Sequence, residues 1–209
     1  MGSRIMHLII VNEIATKLSI NDRNSFLLGG IAPDAVTSKD FSHFFRGDHQ
    51  DFSRYIDYEK FLKKYSSYKQ ISYILGYYTH LIADDLWLKG FFVPWLKNRI
   101  ENDKNMVSLY HNDFRLLNGK LLEYYGVNLE PMKELGKSGS IIDLEEVKIK
   151  DVKDLLPLLF QDMNYSNNAL EQKLNVFTFD QIIGYIETSV EKSLFHIKPI
   201  INQAIHPRH

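Results

Sequence analysis

The sequence predicts an all-α protein, and three observations carry this prediction. Apolar residues recur with the helical period along almost the whole chain, and strand-type alternation is almost absent. Helix-capping residues precede two of the apolar runs. With 209 residues, of which 44% are apolar and 24% charged, the composition is that of a globular chain. This length favours a single domain over residues 1–209.

The first 51 residues predict two helices and a loop. Apolar side chains from Ile5 to Leu18 fall on one side of a first helix. Asn21 or Asp22 can cap a second helix, which Gly29-Gly30 can end. Pro33 disfavours helix at the residue before it. We therefore expect an ordered loop from Ala32 to about Asp51.

The next part of the chain predicts the centre of the fold. A short helix is expected over residues 57–65, and a long one from Ser67 to about Phe92, ending before Pro94. The long helix carries tyrosine, isoleucine, leucine and tryptophan on nearly all sides, which is typical of a helix surrounded by others.

The C-terminal half predicts three helices and one irregular stretch. A helix is expected over residues 104–125, and a second from Asp151. Thr178 to Gln181 form a capping-box sequence that opens the last long helix. Residues 126–150, with three glycines, a proline and an acidic patch, are expected to run over the surface.

The composition excludes several classes of protein. The chain has no cysteine, which excludes thiol catalysis, iron–sulfur clusters and cysteine-ligated zinc. The net charge of −1, with no strongly basic run, argues against nucleic-acid binding. No apolar stretch approaches the roughly 20 residues of a membrane helix. No signal-peptide pattern is present, so a cytoplasmic location is expected, and Met1-Gly2-Ser3 is interpreted as a cloning remnant.

The strongest local signal is the pair His80 and Asp84 within the long apolar helix. At this spacing both side chains leave the same face of the helix and can hold one metal ion. A hydrogen-bonded His–Asp pair inside a helix bundle is the alternative.

Three further residues add to this pair. Asp34 follows the end of an apolar helix and a proline, His43 lies between aromatic residues, and His7 lies within the first helix. Taken singly, they would be a turn residue and two packed histidines.

Taken in order, these elements resemble a known family. The chain has a histidine near its start, then Gly-x-Ile-Ala-Pro-Asp, Ser-His-Phe and Gly-Tyr-x-x-His-Leu-x-x-Asp. This order resembles the zinc-dependent phospholipase C family, whose all-α fold is shared with fungal zinc nucleases. The resemblance covers about half of the chain and implies metal ligation. The implied ligands are His7, Asp34, His43, His80 and Asp84.

The resemblance also implies individual roles and has limits. It implies that Asp84 bridges two metal ions and that Asp34 is a ligand or the general base. Leu88 stands one turn after Asp84, where secreted members use a histidine, so a third metal site is not supported. His111 and Asp113 lie in a stretch that resembles Tyr-x-x-Asp of intracellular members and are weaker ligand candidates.

These observations predict a metal-dependent hydrolase of phosphate esters. The donor set suits one or two Zn²⁺ ions, while Fe²⁺, Mn²⁺ or Ni²⁺ could also fit. The expected substrate is a small phosphorylated compound or a lipid headgroup. The alternative is a non-catalytic helical binding or regulatory module that retains part of a metal site. An adjacent His-Asp pair and Glu-x-x-His motifs are absent, which argues against two other helical metal-enzyme classes, the HD-type phosphohydrolases and the di-iron bundles.

Overall fold

A computed structural model describes residues 3–68 and 71–205, so Met1 and Gly2 of the interpreted cloning remnant lie outside it. The all-α prediction is confirmed, because 72% of the chain is helical and the described residues hold only one two-stranded sheet. Among these residues, no helix combines the length and the apolar character that a membrane crossing requires.

Twelve α-helices are described, together with one 3₁₀ turn, one π-helix and two short strands. The α-helices are α1 (Arg4–Leu18), α2 (Arg23–Ile31), α3 (Lys39–Ser42), α4 (Tyr58–Tyr65), α5 (Ile71–Trp87), α6 (Lys97–Asn102), α7 (Met106–Tyr124), α8 (Leu129–Lys133), α9 (Leu135–Ser138), α10 (Ile149–Asp162), α11 (Asn167–Glu171) and α12 (Phe179–Ile205). The 3₁₀ turn is Ala32–Ala35, the π-helix is Leu88–Leu96, and the antiparallel strands are β1 (Phe45–Arg46) and β2 (Tyr55–Ile56).

Side-chain caps set the starts of several helices. Ser3 accepts a hydrogen bond from the amide of Met6 at the start of α1, and Asp22 accepts one from Ser25 at the start of α2. The predicted capping box opens α12, because the Thr178 amide donates to Gln181 Oε1 at 2.9 Å and the Gln181 amide donates to Thr178 Oγ1 at 3.2 Å. Such caps pair amides that have no partner inside the helix.

Helix α5 lies at the centre, as predicted. Every residue from Tyr73 to Asp85 is buried, and the helix packs against α1, α2, α4 and α12. Four polar side chains on this helix, Thr79, His80, Asp84 and Asp85, are therefore held away from water and need partners within the protein.

Glycines allow α2 and α5 to approach each other closely. A Cβ atom on Gly29 would lie 2.0 Å from the carbonyl oxygen of Tyr73, and a Cβ atom on Gly76 would lie 2.0 Å from that of Phe26. Both distances are far below van der Waals contact. The backbones can pack in this way only because these positions carry no side chain.

Replacing Gly76 with alanine is therefore expected to lower the free energy of unfolding by about 1–3 kcal/mol or more. Gly184 in α12 is the matched control, because a Cβ atom placed there would have no other atom within 4 Å. Alanine there should leave stability unchanged or raise it by up to about 1 kcal/mol. Urea unfolding measures both values, and a Gly76→Ala protein as stable as the parent would contradict the packing described.

The predicted end of the central helix before Pro94 is wrong. The α-helix ends at Trp87, and the chain continues as the π-helix through Pro94 into α6. Proline lacks an amide hydrogen and disrupts regular α-helix. Here the helical path continues past it with π rather than α geometry.

Two stretches expected to be irregular contain short elements. The segment 32–51 holds the 3₁₀ turn, α3 and β1. Residues 126–150 hold α8 and α9 and do not only run over the surface, because Met132, Leu135, Leu144 and Val147 are buried in the core. These apolar side chains cover one another and the neighbouring helices, which removes them from water.

Candidate metal centre

Five side chains that lie far apart in the sequence converge against α5. His7 comes from α1, Asp34 from the 3₁₀ turn, His43 from the residue after α3, and His80 and Asp84 from α5 itself. Two overlapping groups could each hold a metal ion, with ligand atoms within 4.8 Å of one another: His7, Asp34 and His80, and His43, His80 and Asp84.

Asp84 lies at the centre of this arrangement. Its Oδ1 is 3.3 Å from His7 Nε2, and its Oδ2 is 3.2 Å from His43 Nε2. The same Oδ2 lies 3.7 Å from His80 Nε2, which is beyond hydrogen-bond distance. The alternative of a hydrogen-bonded His80–Asp84 pair is therefore not what the structure contains. The two carboxylate oxygens instead face different imidazoles.

Hydrogen bonds on the outer side of two imidazoles fix their orientation. His80 Nδ1 donates to the carbonyl oxygen of Gly30 at 2.8 Å. His43 Nδ1 lies 2.9 Å from Ser42 Oγ, which itself donates to the carbonyl of Pro33 and so accepts from the ring. Both rings therefore direct Nε2 toward Asp84, the arrangement that metal-binding histidines typically show.

The backbone around His43 is held in place from two sides. The hydroxyl of Tyr77 in α5 donates to the carbonyl of Ser42 at 2.6 Å. Phe44, the next residue, has a left-handed φ of 56° and packs its buried ring against Phe61. Left-handed backbone at a bulky residue is unusual and is maintained by the surrounding packing.

The buried donors fit a divalent cation. His7 is fully buried, its ring stacks on that of His80, and neither of its nitrogens makes a hydrogen bond in the described part of the chain. The Nε2 atoms of His43 and His80 lie 3.2 Å apart, although each ring has its hydrogen on Nδ1. Two lone pairs that face each other repel unless a cation lies near them. Three imidazoles and two carboxylates match the ligand preferences of Zn²⁺.

The electrostatics keep these groups in their metal-binding forms. Burial, together with the neighbouring His80, lowers the pKa of His7 to about 4, so its ring is neutral at pH 7. Burial alone would raise the pKa of Asp84, but nearby positive charge, followed by the contacts with His43, His7 and His80, outweighs burial and holds that pKa well below its usual range. For Asp34, the opposing effect of His80 and Lys39 likewise outweighs burial and lowers the pKa. Both carboxylates are ionised.

The five converging side chains, His7, Asp34, His43, His80 and Asp84, are together called the metal group. A cavity of about 510 Å³ opens beside it, and Asp34 and His43 line this cavity. Several other residues that line the cavity belong to no recognisable sequence motif. Lys39 Nζ contacts Asp34 Oδ1 at 2.8 Å, and α7 contributes a wall that includes Tyr110 and Phe114. Lys39 follows Asp34 across a turn, and the α7 residues become neighbours only through tertiary packing, so sequence patterns could not find them.

The two weaker ligand candidates, His111 and Asp113, have different surroundings in the structure. His111 is exposed and lines the cavity. Asp113 lies in neither ligand group, and its buried carboxylate accepts hydrogen bonds from the backbone amides of Asn175, Val176 and Phe177 at 2.7–3.1 Å. The expectation of Asp113 as a possible ligand is therefore not supported, because these amides already satisfy its oxygens.

Fold and site together define an all-α protein with a candidate metal centre built from histidine and aspartate. Residues 6–87 match the family described as zinc dependent phospholipase C, which confirms the resemblance over somewhat under half of the chain. The match includes all five converging residues and ends before His111 and Asp113. No curated protein and no solved structure matches the chain.

Proposed function

We propose that this protein is a zinc-dependent hydrolase that cleaves phosphate esters. The observation that carries the proposal is the convergence of three imidazoles and two carboxylates beside a cavity, in which neither nitrogen of the buried His7 makes a hydrogen bond among the described residues. The family match over residues 6–87 supports the same activity and supports a phosphorylated compound or lipid headgroup as substrate.

The chain's own residues have distinct proposed roles. His7, His43 and His80 would hold one or two ions, and Asp84, whose oxygens face different imidazoles, would serve both positions. A bound zinc ion supplies a Lewis acid and lowers the pKa of water from 15.7 to about 7. Asp34 belongs to the metal group and also lines the cavity. It would act as a further ligand or accept the proton from the attacking water.

Zinc loading should switch on phosphoesterase activity. We expect protein purified without chelator to contain zinc, and we expect turnover to fall to background after chelation and to return with one divalent metal. The assay would compare p-nitrophenyl phosphate, bis(p-nitrophenyl) phosphate and short-chain phosphatidylcholine, which separates monoester, diester and lipid cleavage. Elemental analysis gives the metal and its stoichiometry.

A zinc-binding protein that hydrolyses none of these compounds at any metal loading would contradict the proposal. It would favour the non-catalytic binding module instead. Turnover of a verified substrate by metal-free protein would exclude the metal from the reaction.

A further inference from the structure

The cavity beside the metal group has one wall formed by α7. Tyr110, Phe114, Arg115 and Asn118 line the cavity from this helix. Residues three or four positions apart, such as Tyr110 and Phe114 or Arg115 and Asn118, are neighbours on one helix face. Tyr110 lines the same cavity as Asp34 and His43, two of the five residues that converge on α5. Arg115 lies five residues after Tyr110, which corresponds to about 7.5 Å along the axis of the helix.

The positive charges in this cavity are not equivalent. Arg4 Nε contacts Asp162 at 2.7 Å, and Lys39 contacts Asp34 at 2.8 Å, so each of these cations has a carboxylate partner. The guanidinium of Arg115 contacts only the side-chain oxygen of Asn112 at 3.0 Å and has no carboxylate partner in the described part of the chain. Arg115 is therefore the cavity cation whose charge remains available to a ligand.

Asn118, three residues after Arg115 on the same helix, has a side-chain oxygen without a partner in the described part of the chain. Asn118 is 7% exposed, and its buried carboxamide oxygen makes no hydrogen bond within residues 3–68 and 71–205. A half-turn about the last side-chain bond exchanges this oxygen with the NH₂ group, so the amide can present either a donor or an acceptor. A buried polar atom without a partner is costly, so a ligand that paired with this amide would be stabilised. Arg115 and Asn118 are three residues apart on the same helix face and can act on one group.

We infer that Arg115 and Asn118 bind a second anionic group on the substrate, separate from the phosphate that reacts. The guanidinium can donate two parallel hydrogen bonds to a carboxylate or phosphate, and the amide NH₂ of Asn118 can donate a third. The apolar rings of Tyr110 and Phe114 then contact the carbon atoms that join the two acidic groups. This inference rests on the proposed function and narrows its substrate class to phosphate esters with a second acidic group.

Non-hydrolysable phosphonates test this inference by titration calorimetry on the zinc-loaded full-length protein. At the shorter chain length, the monoacid ethylphosphonate is compared with two diacids, 3-phosphonopropionate and ethane-1,2-bisphosphonate. At the longer chain length, pentylphosphonate is compared with the corresponding carboxylate and bisphosphonate. One of the two chain lengths should let a diacid reach both the zinc and the Arg115–Asn118 pair. At that length the diacid should bind about 10- to 100-fold more tightly than the monoacid. The carboxylate and bisphosphonate arms show which anion is preferred.

Arg115→Gln should remove this advantage and leave monoacid affinity within about twofold, because Arg115 is exposed and its loss removes only a contact with the second acid. Arg99→Gln is the matched control, since that guanidinium lies over the ring of Trp95 and does not line the cavity. A diacid advantage that is absent, that survives Arg115→Gln, or that is lost with Lys39→Gln alone would overturn the inference. Failure of the proposed function gives a different result, in which zinc loading strengthens neither monoacid nor diacid binding.

Discussion

Replacing Asp34 with asparagine is expected to lower kcat for a verified phosphate ester by at least about 100-fold. Asparagine has nearly the same shape as aspartate but is a poorer base and a poorer metal ligand. The side chain lies at the edge of the cavity and is 11% exposed, and it belongs to a 3₁₀ turn rather than to the helical core. The far-ultraviolet circular dichroism spectrum should therefore be unchanged.

Metal content separates the two proposed roles of Asp34. Retained zinc with lost turnover would identify Asp34 as the base, whereas lost zinc would identify it as a ligand. Asp40→Asn is the matched control, because Asp40 lies in the same segment with its side chain 72% exposed and pairs with Arg54 outside the metal group. Normal turnover by Asp34→Asn would remove Asp34 from the mechanism.

Loss of the His80 imidazole should remove the metal altogether. His80 belongs to both candidate ligand groups, so one substitution affects both. Removing a residue that only supports a ligand typically weakens metal affinity 10- to 100-fold, so loss of the ligand itself should cost at least about 100-fold. Competition with a zinc-binding dye measures this affinity, and hydrolysis should fall with it.

The choice of substitution keeps this experiment informative. His80→Asn retains a side-chain NH₂ that can donate to Gly30 in place of the ring Nδ1, whereas His80→Ala leaves a cavity in the core. His196→Ala is the control, because that partly exposed ring lies near Tyr78 and belongs to neither ligand group. Unchanged zinc stoichiometry and affinity in a folded His80→Asn protein would exclude His80 as a ligand.

The sequence predicted those parts of the fold that depend on local patterns. Long apolar periodicity located α1, α5 and α7, and the Thr178–Gln181 capping box located the start of α12. Of the five residues that converge beside the cavity, His80 and Asp84 are candidates because of their spacing on one helix, and His7, Asp34 and His43 because of the resemblance to a family. Their joint role in metal binding remains a prediction.

Other features depend on contacts that sequence patterns do not encode. Helix α3 has four residues, too few for a helical period to show. Asp113 resembled a ligand, but its partners are amides near residue 176, far along the chain. Arg115 is a cavity residue only through tertiary packing, and Lys39 through the turn that follows Asp34. Single-residue rules predict a helix end at Pro94, because they describe α geometry and not π geometry.

The contact between His7 and Asp84 joins the first helix to the fifth in a chain without cysteine. An ion held by both would cross-link distant parts of the chain, as a disulfide does in secreted proteins. Such a cross-link removes conformations from the unfolded ensemble, and its stabilising effect grows with the logarithm of the free zinc concentration above the dissociation constant. The melting temperature of this protein would then report the zinc supply of the solution around it.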